Sequence, residues 1–109
     1  MERDTINQLF EAWLPVHWDI MGLPFNAYPK LFQTQLAELV GHYQAGEQDK
    51  VLNEIVDILS VAVNLFRWFR LSPRQIKDKI QQRIDTRYRG QTRDILEKYG
   101  QIGGENGRL

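Results

Sequence analysis

Four oxygen-bearing side chains stand in two pairs of equal spacing on consecutive segments of the chain. Gln35 and Glu38 form the first pair, and Glu54 and Asp57 form the second. Because residues three positions apart lie on the same face of a helix, each pair would project its oxygens in one direction. Carboxylate and amide oxygens are ligands that Mg²⁺ and Mn²⁺ favour. On two adjacent antiparallel helices, the four side chains would form an oxygen cage for such a cation.

The second pair lies in a strongly apolar segment. Between Val51 and Arg67, apolar residues occupy nearly every angular position of a helix, which predicts burial on most sides. An unpartnered carboxylate is costly to bury, so Glu54 and Asp57 need a cationic side chain, a proton or a metal ion. An ion pair with a basic helix further along the chain is the alternative to a metal site, and the spacing alone leaves both open.

The charges of the chain are balanced in number and uneven in position. The 109 residues include 14 basic and 14 acidic side chains, and most of the basic ones lie between Arg67 and Lys98. In that segment Lys79, Arg83 and Arg87 recur at every fourth position, which predicts a cationic stripe able to contact phosphate groups. A solvated or ion-paired helix face is the alternative interpretation.

The composition excludes several classes of protein. The chain has no cysteine, which excludes disulfides, thiolate zinc sites and iron–sulfur clusters and favours a cytoplasmic location. No apolar run approaches the roughly 20 residues that a membrane span needs, and the start of the chain does not resemble a signal peptide. Nucleic-acid binding is not expected, because acidic residues interrupt the basic segment.

The periodicity predicts an all-α fold, with residues 1–99 forming a single helical domain and residues 100–109 a flexible glycine-rich tail. Four helical segments are expected. They run from about Asp4 to Met21 with a break at Pro15, from Pro29 to Gln44, from an N-cap at Asp49 to about Arg70, and from a capping box at Ser72–Gln75 to about Tyr99 with a break at Gly90. Gly46 is expected to end the second segment in a left-handed conformation.

Apolar residues crowd the end of the third segment, which predicts self-association. They are Ile58, Val63, Leu65, Phe66, Trp68 and Phe69. One small bundle does not easily cover a helix that is apolar all round, so a homodimer or homotetramer is expected.

The aromatic residues around the first segment and the two histidines have less definite roles. Trp13, Trp18, Phe25 and Tyr28 include candidates for stacking on a nucleobase, although packing is the commoner role of such residues. We interpret His17 and His42 as packing or surface residues.

The stretch from Gly22 to about Arg87 resembles the MazG-like, all-α nucleoside triphosphate pyrophosphohydrolases. That family carries E-E-x-x-E on one helix, a short loop with Gly and an acidic residue, and E-x-x-D on an apolar helix. The corresponding segments here are TQLAE at 34–38, GEQD at 46–49 and EIVD at 54–57. The resemblance implies a four-helix MazG-like bundle that forms oligomers.

The resemblance also implies an activity and a set of site residues. A nucleoside triphosphate would be cleaved to its monophosphate and pyrophosphate with Mg²⁺, or Mn²⁺, as cofactor. The implied catalytic residues are Glu38, Glu54 and Asp57, the metal ligands are these three with Gln35, and the phosphate-binding residues are Lys79, Arg83 and Arg87.

One departure from the family pattern keeps two other hypotheses open. Thr34-Gln35 stands where the family has two glutamates, so one expected carboxylate ligand is an uncharged amide and weaker metal binding is expected. A catalytically inactive relative would bind a nucleotide without turnover. A helical protein-interaction module, such as a small inhibitor, would do neither.

Overall fold

The computed structural model describes the backbone of residues 4–104 and the side chains of residues 4–100. This part of the chain is all-helical and has no strand, which confirms the predicted fold class. The helices are α1 (Thr5–Ala12), α2 (His17–Met21), α3 (Ala27–Gln44), α4 (Gln48–Trp68), α5 (Pro73–Arg83) and α6 (Thr92–Gly104), with a 3₁₀ turn at Leu14–Val16 and a π-helical turn at Ile84–Tyr88.

The predicted break in the first segment is present. Asp4 caps α1, because its carboxylate accepts hydrogen bonds from the backbone N–H and the side-chain amide of Asn7, both at 3.1 Å. The helix ends at Ala12, and the chain continues through the 3₁₀ turn that contains Pro15 before α2 begins. Proline lacks the N–H that an uninterrupted helix would require.

Helices α3 and α4 pack against each other along their length and form a hairpin. Gly46 lies in the turn between them with φ of 74°, as predicted, because glycine adopts this conformation without steric cost. The predicted N-cap of α4 was wrong, since Glu47 occupies that position and Asp49 lies in the first turn. A carboxylate in the first turn still interacts favourably with the positive end of the helix dipole.

The core of the hairpin lies towards the C-terminal half of α4. Helices α1 and α2 contact α4, and the fully or nearly buried apolar side chains there include Ile20, Tyr28 and Val63. The indole N–H of Trp68 donates a hydrogen bond of 2.7 Å to the carbonyl of Leu23. This bond ties the turn before α3 to the end of α4.

The described residues up to Ile76 form one compact unit and those from Lys77 onward form a second. The predicted capping box at the start of α5 is present in the first unit, because Gln75 Oε1 accepts from the backbone N–H of Ser72 at 2.8 Å and Ser72 Oγ accepts from that of Gln75 at 3.2 Å. None of the described helices combines the length and the apolar character needed to cross a membrane.

The second unit contains an interruption of the helix besides the one predicted at Gly90. Gly90 has φ of 79°, which confirms the break there, but the helix is already interrupted by the π-helical turn at Ile84–Tyr88. Of the three residues of the predicted cationic stripe, Lys79 and Arg83 lie on α5 and Arg87 lies in the π-helical turn. Helix α6 extends to Gly104, beyond the predicted end at Tyr99, and residues 105–109 of the predicted tail lie outside the described residues.

Candidate metal centre

The α3–α4 hairpin brings together the three carboxylates that the spacing singled out. Glu54 is buried, with 9% of its surface exposed, whereas Glu38 and Asp57 are exposed. Burial raises the pKa of Glu54, and the negative charges of Glu38 and Asp57 raise it further. A hydrogen bond between the Glu38 and Glu54 side chains acts in the same direction. Two carboxyl groups share such a bond only when one of them carries a proton.

The two oxygens of Glu54 have different surroundings. Among the described residues, Oε1 has no hydrogen-bond partner although it is buried. Oε2 lies 3.4 Å from Nε2 of His42, and this interaction lowers the pKa of Glu54 against the larger effects that raise it. A buried oxygen without a donor is energetically unfavourable and marks a position that a proton or a cation would stabilise.

His42, which the sequence led us to interpret as a packing or surface residue, is a member of this cluster. Its Nδ1 lies 3.0 Å from Oε1 of Glu47, while its Nε2 faces Glu54. Lys50 adds a second cation 3.0 Å from Glu47, and the hydrogen bonds from His42 and Lys50 lower the pKa of Glu47. The available signal was the position of His42 four residues after Glu38, on the same face of α3.

Gln35 lies on the wall of a cavity and is not one of the groups that act on Glu54. Its Oε1 is buried and has no hydrogen-bond partner among the described residues. The cavity has a volume of about 440 Å³, and Asp57 lies on the same wall. Gln35 is therefore a half-buried residue of the cavity wall, and its role as a metal ligand stays a prediction.

The predicted cage is not fully formed by these side chains. Within the part of the chain that the structure describes, no group of three or more His, Cys, Asp or Glu side chains is placed to hold a metal ion. The donor types around Glu54 suit Mg²⁺ or Mn²⁺, which prefer hard oxygen ligands. The side chains around Glu54 are therefore of the chemical type that these cations bind. In the described part of the chain, however, they do not converge on one point as metal ligands do.

Arg67 does not belong to the solvated basic segment in which the sequence placed it. Its side chain is 1% exposed and lies with its guanidinium 3.6 Å from the centre of the Phe10 ring. It donates to the carbonyl of Phe10, contacts His17 Nδ1 at 2.8 Å and donates to Asn64 Oδ1 at 3.4 Å. These contacts attach the N-terminal helices to the end of α4.

The three predicted phosphate-binding residues lie in the second unit. Lys79 and Arg83 are exposed, and Arg87 is half-buried. Lys79 Nζ donates to Oε1 of Gln82 at 2.9 Å, which holds its side chain along the helix. Their contact with phosphate stays a prediction.

The aromatic candidates for base stacking separate into different environments. Trp13 and Tyr28 line the cavity beside Gln35, Trp18 is 79% exposed, and Phe25 packs against Trp68 with their ring centres 5.9 Å apart. Of these four residues, Trp13 and Tyr28 therefore line this cavity.

No family model matches the chain, and neither curated proteins nor solved structures gave a match. The likeness to the MazG-like enzymes accordingly rests on the motif residues and their positions.

Proposed function

We propose that the chain is a Mg²⁺-dependent nucleoside triphosphate pyrophosphohydrolase of the MazG-like kind. The observation that supports this most is the group of motif carboxylates around Glu54, which is buried, has a raised pKa and keeps one oxygen without a partner. A perturbed, incompletely satisfied ionisable group of this kind is typical of a functional site.

In the proposed reaction, water attacks a phosphate and breaks the anhydride bond between the α and β phosphates. One of the catalytic carboxylates Glu38, Glu54 and Asp57 would accept a proton from the water, because a carboxylate can act as a general base. Glu38 and Asp57 hold Glu54 in an anionic cluster, and His42 orients it from the other side. Mg²⁺ or Mn²⁺ would neutralise charge on the phosphate oxygens, and Glu38, Glu54 and Asp57 would have to converge on it more closely than they do in the described structure.

The phosphate groups also need cationic partners from the protein. Lys79, Arg83 and Arg87 are the residues that we propose for this role, through charge-assisted hydrogen bonds to phosphate oxygens. Replacing Arg83 with Gln is expected to raise the KM for the triphosphate, whereas the same change at the exposed Arg93 of α6 is expected to leave it unchanged.

The proposal is tested by measuring pyrophosphate release from ribo- and deoxynucleoside triphosphates with Mg²⁺, with Mn²⁺ and with EDTA. We expect metal-dependent release with the monophosphate as the second product, and loss of release in Glu54→Gln and Asp57→Asn. Asp49→Asn is the matched control, because Asp49 is an exposed carboxylate of the same helix outside the cluster. Equal activity of all three variants would contradict the assignment.

A second candidate is a relative that binds a nucleotide without cleaving it. Two observations favour it, namely the amide at Gln35 and the absence of a convergent three-donor group among the described residues. Triphosphate binding without pyrophosphate release under any metal would support this candidate. Neither binding nor release would support the protein-interaction module instead.

We also propose that the protein forms a homodimer or homotetramer through the first half of α4 and the adjacent part of α3. The exposed apolar side chains there are Leu52, Ile55, Val56 and Leu59 on α4 and Leu36, Val40 and Tyr43 on α3. The surface differs from the one that the sequence suggested, since Val63 is buried. A second hairpin packed on these stripes would form a four-helix arrangement across a twofold axis.

A further inference from the structure

The cavity beside Gln35 is a second feature of the first unit that the carboxylate cluster does not explain. Its volume of about 440 Å³ falls within the range of roughly 300–1,000 Å³ that is usual for small-molecule sites. Trp13, Leu31 and Val61 supply apolar and aromatic wall. Asp57 connects this wall to the carboxylate cluster, because its charge acts on Glu54 and its side chain also lines the cavity.

Two buried polar atoms on the lining residues lack partners. Tyr28 is 1% exposed, yet its hydroxyl has no hydrogen-bond partner among the described residues, and the same holds for Oε1 of Gln35. Buried polar groups are nearly always paired in folded proteins, so two unpaired atoms on residues that line the same cavity are candidate partners for a ligand that enters it. The Gln35 oxygen needs a donor, whereas the Tyr28 hydroxyl can donate or accept.

The charges around the cavity select against a phosphate as its occupant. Among the residues that the structure describes, no lysine or arginine lines it, and Asp57 would repel an anion. Burial raises the pKa of the Tyr28 hydroxyl, and the nearby charge of Arg67 only partly opposes this rise. The guanidinium of Arg67 is engaged with Phe10 and His17. An uncharged, flat ring with N–H and carbonyl or ring-nitrogen groups suits both the apolar walls and the two unpaired atoms.

We propose that this cavity binds the nucleobase of a nucleotide, with Gln35 accepting from a base N–H and the Tyr28 hydroxyl completing the recognition. The identification of the ring as a nucleobase rests on the proposed function. In this assignment Gln35 determines which bases are accepted and is not a metal ligand. Recognition of the base would then explain why position 35 has an uncharged amide instead of a glutamate.

The test uses nucleosides that carry no phosphate, added to the full chain in EDTA. Thymidine, deoxycytidine, deoxyadenosine and deoxyguanosine are titrated separately, and binding is followed by NMR through the signals of Trp13, Tyr28 and Val61. At least one nucleoside is expected to bind and to shift these signals. Inorganic tripolyphosphate, the phosphate-only probe, is expected not to shift them.

Three variants assign the binding to the two unpaired atoms. Gln35→Leu and Tyr28→Phe are each expected to weaken nucleoside binding by about 3- to 10-fold, the usual range for one hydrogen bond. Gln33→Leu is the control, because Gln33 is an exposed glutamine on α3 that does not line the cavity. Unfolding of each variant is measured alongside, so that a folding defect is recognised.

The outcomes separate this proposal from the proposed function. Absence of nucleoside binding, or binding that neither Gln35→Leu nor Tyr28→Phe alters, overturns the cavity assignment even if the enzyme releases pyrophosphate. Nucleoside binding that depends on Gln35, in a protein that cleaves no triphosphate, supports the cavity and contradicts the hydrolase. If Gln35→Leu instead weakens Mn²⁺ binding and leaves nucleoside binding intact, Gln35 is a metal ligand and the proposal is wrong.

Discussion

The two halves of α4 each bury one charged side chain, and they satisfy it very differently. In the second half, Arg67 is enclosed and has three hydrogen-bonding partners, on α1, α2 and α4 itself. In the first half, Glu54 is buried beside two further carboxylates, and one of its oxygens has no partner among the described residues. Protein interiors tolerate a buried charge when it is paired, so the contrast is consistent with a structural role for Arg67 and with the functional role that we propose for Glu54.

The apolar residues of the two halves show the same contrast. Val63 is 2% exposed in the second half, whereas Ile55 and Val56 are 50% and 54% exposed in the first. Contiguous exposed apolar side chains on a helix are typical of an interface. The half of α4 that carries the candidate site is therefore also the half whose packing is incomplete in a single chain.

The sharpest test of the contrast is to remove the charge of Glu54. We expect Glu54→Gln to weaken Mn²⁺ binding by about 10- to 100-fold, because it replaces an anionic oxygen ligand with an amide. Calorimetric titration measures this directly. Asp49→Asn serves as the control on the same helix, and an unchanged affinity in Glu54→Gln would show that the carboxylate cluster is not the metal site.

Removal of the paired charge is expected to act on stability instead. Arg67→Met keeps an apolar stem but leaves the Phe10 carbonyl and His17 without their partner, which we expect to lower the free energy of unfolding by about 2–3 kcal/mol. Urea denaturation measures the loss. The exposed Arg74→Met should stay within about 0.5 kcal/mol of the wild type. A large loss of Mn²⁺ affinity in folded Arg67→Met would break the proposed division between the two halves.

The exposed stripe of the first half is tested by its effect on assembly. Ile55→Lys places a charge in the proposed interface and is expected to weaken self-association by tenfold or more. A tenfold change corresponds to about 1.4 kcal/mol, which is the size of effect seen when an important interface residue is replaced. Light scattering after size-exclusion chromatography measures the molar mass as concentration falls. Asn53→Lys adds the same charge at an exposed neighbouring position outside the stripe, and dissociation in both variants would point to charge alone.

The smallest expected effect is a pH dependence of opposite sign at two glutamates. The folded pKa of Glu54 is raised, so its contribution to stability is present below the unfolded pKa and is lost as pH rises through the folded value. The folded pKa of Glu47 is lowered, so its contribution is present above the unfolded pKa and is lost as pH falls.

Metal-free unfolding curves of Glu54→Gln and Glu47→Gln against pH test these signs. Relative to the wild type, Glu54→Gln should gain stability as pH rises, and Glu47→Gln should lose it. Parallel curves for the two variants would show that the raised and lowered pKa values do not distinguish these carboxyl groups.

Local features of the fold could be predicted because their causes are local. Pro15 interrupts the first segment, Gly46 and Gly90 adopt positive φ, and Ser72 caps α5 with Gln75 as its reciprocal partner. Each follows from the chemistry of one residue or of residues three apart. The N-cap of α4 was misplaced by two residues because Glu47, Asp49 and their neighbours offer several polar starts to the same helix.

The candidate site was predictable only where helical spacing determines it. Glu38, Glu54 and Asp57 follow from two pairs at the same interval, and the hairpin places them together. The partners of Arg67 did not follow, since His17 and Phe10 lie 50 and 57 positions away in the sequence. Contacts over that sequence distance depend on how separate helices pack. From the local sequence alone, an arginine followed by further basic residues indicates a solvated surface.

Pyrophosphate release by the wild-type chain is the most direct test of the account. Each deoxy- and ribonucleoside triphosphate is incubated with the protein in Mg²⁺, and pyrophosphate and monophosphate are measured together, with EDTA and Glu54→Gln as parallel reactions. We predict equal amounts of the two products in Mg²⁺ and loss of both in EDTA and in the variant. Release of orthophosphate alone, or no release from any triphosphate, would contradict the claim that the Glu54 cluster is the centre of a pyrophosphohydrolase.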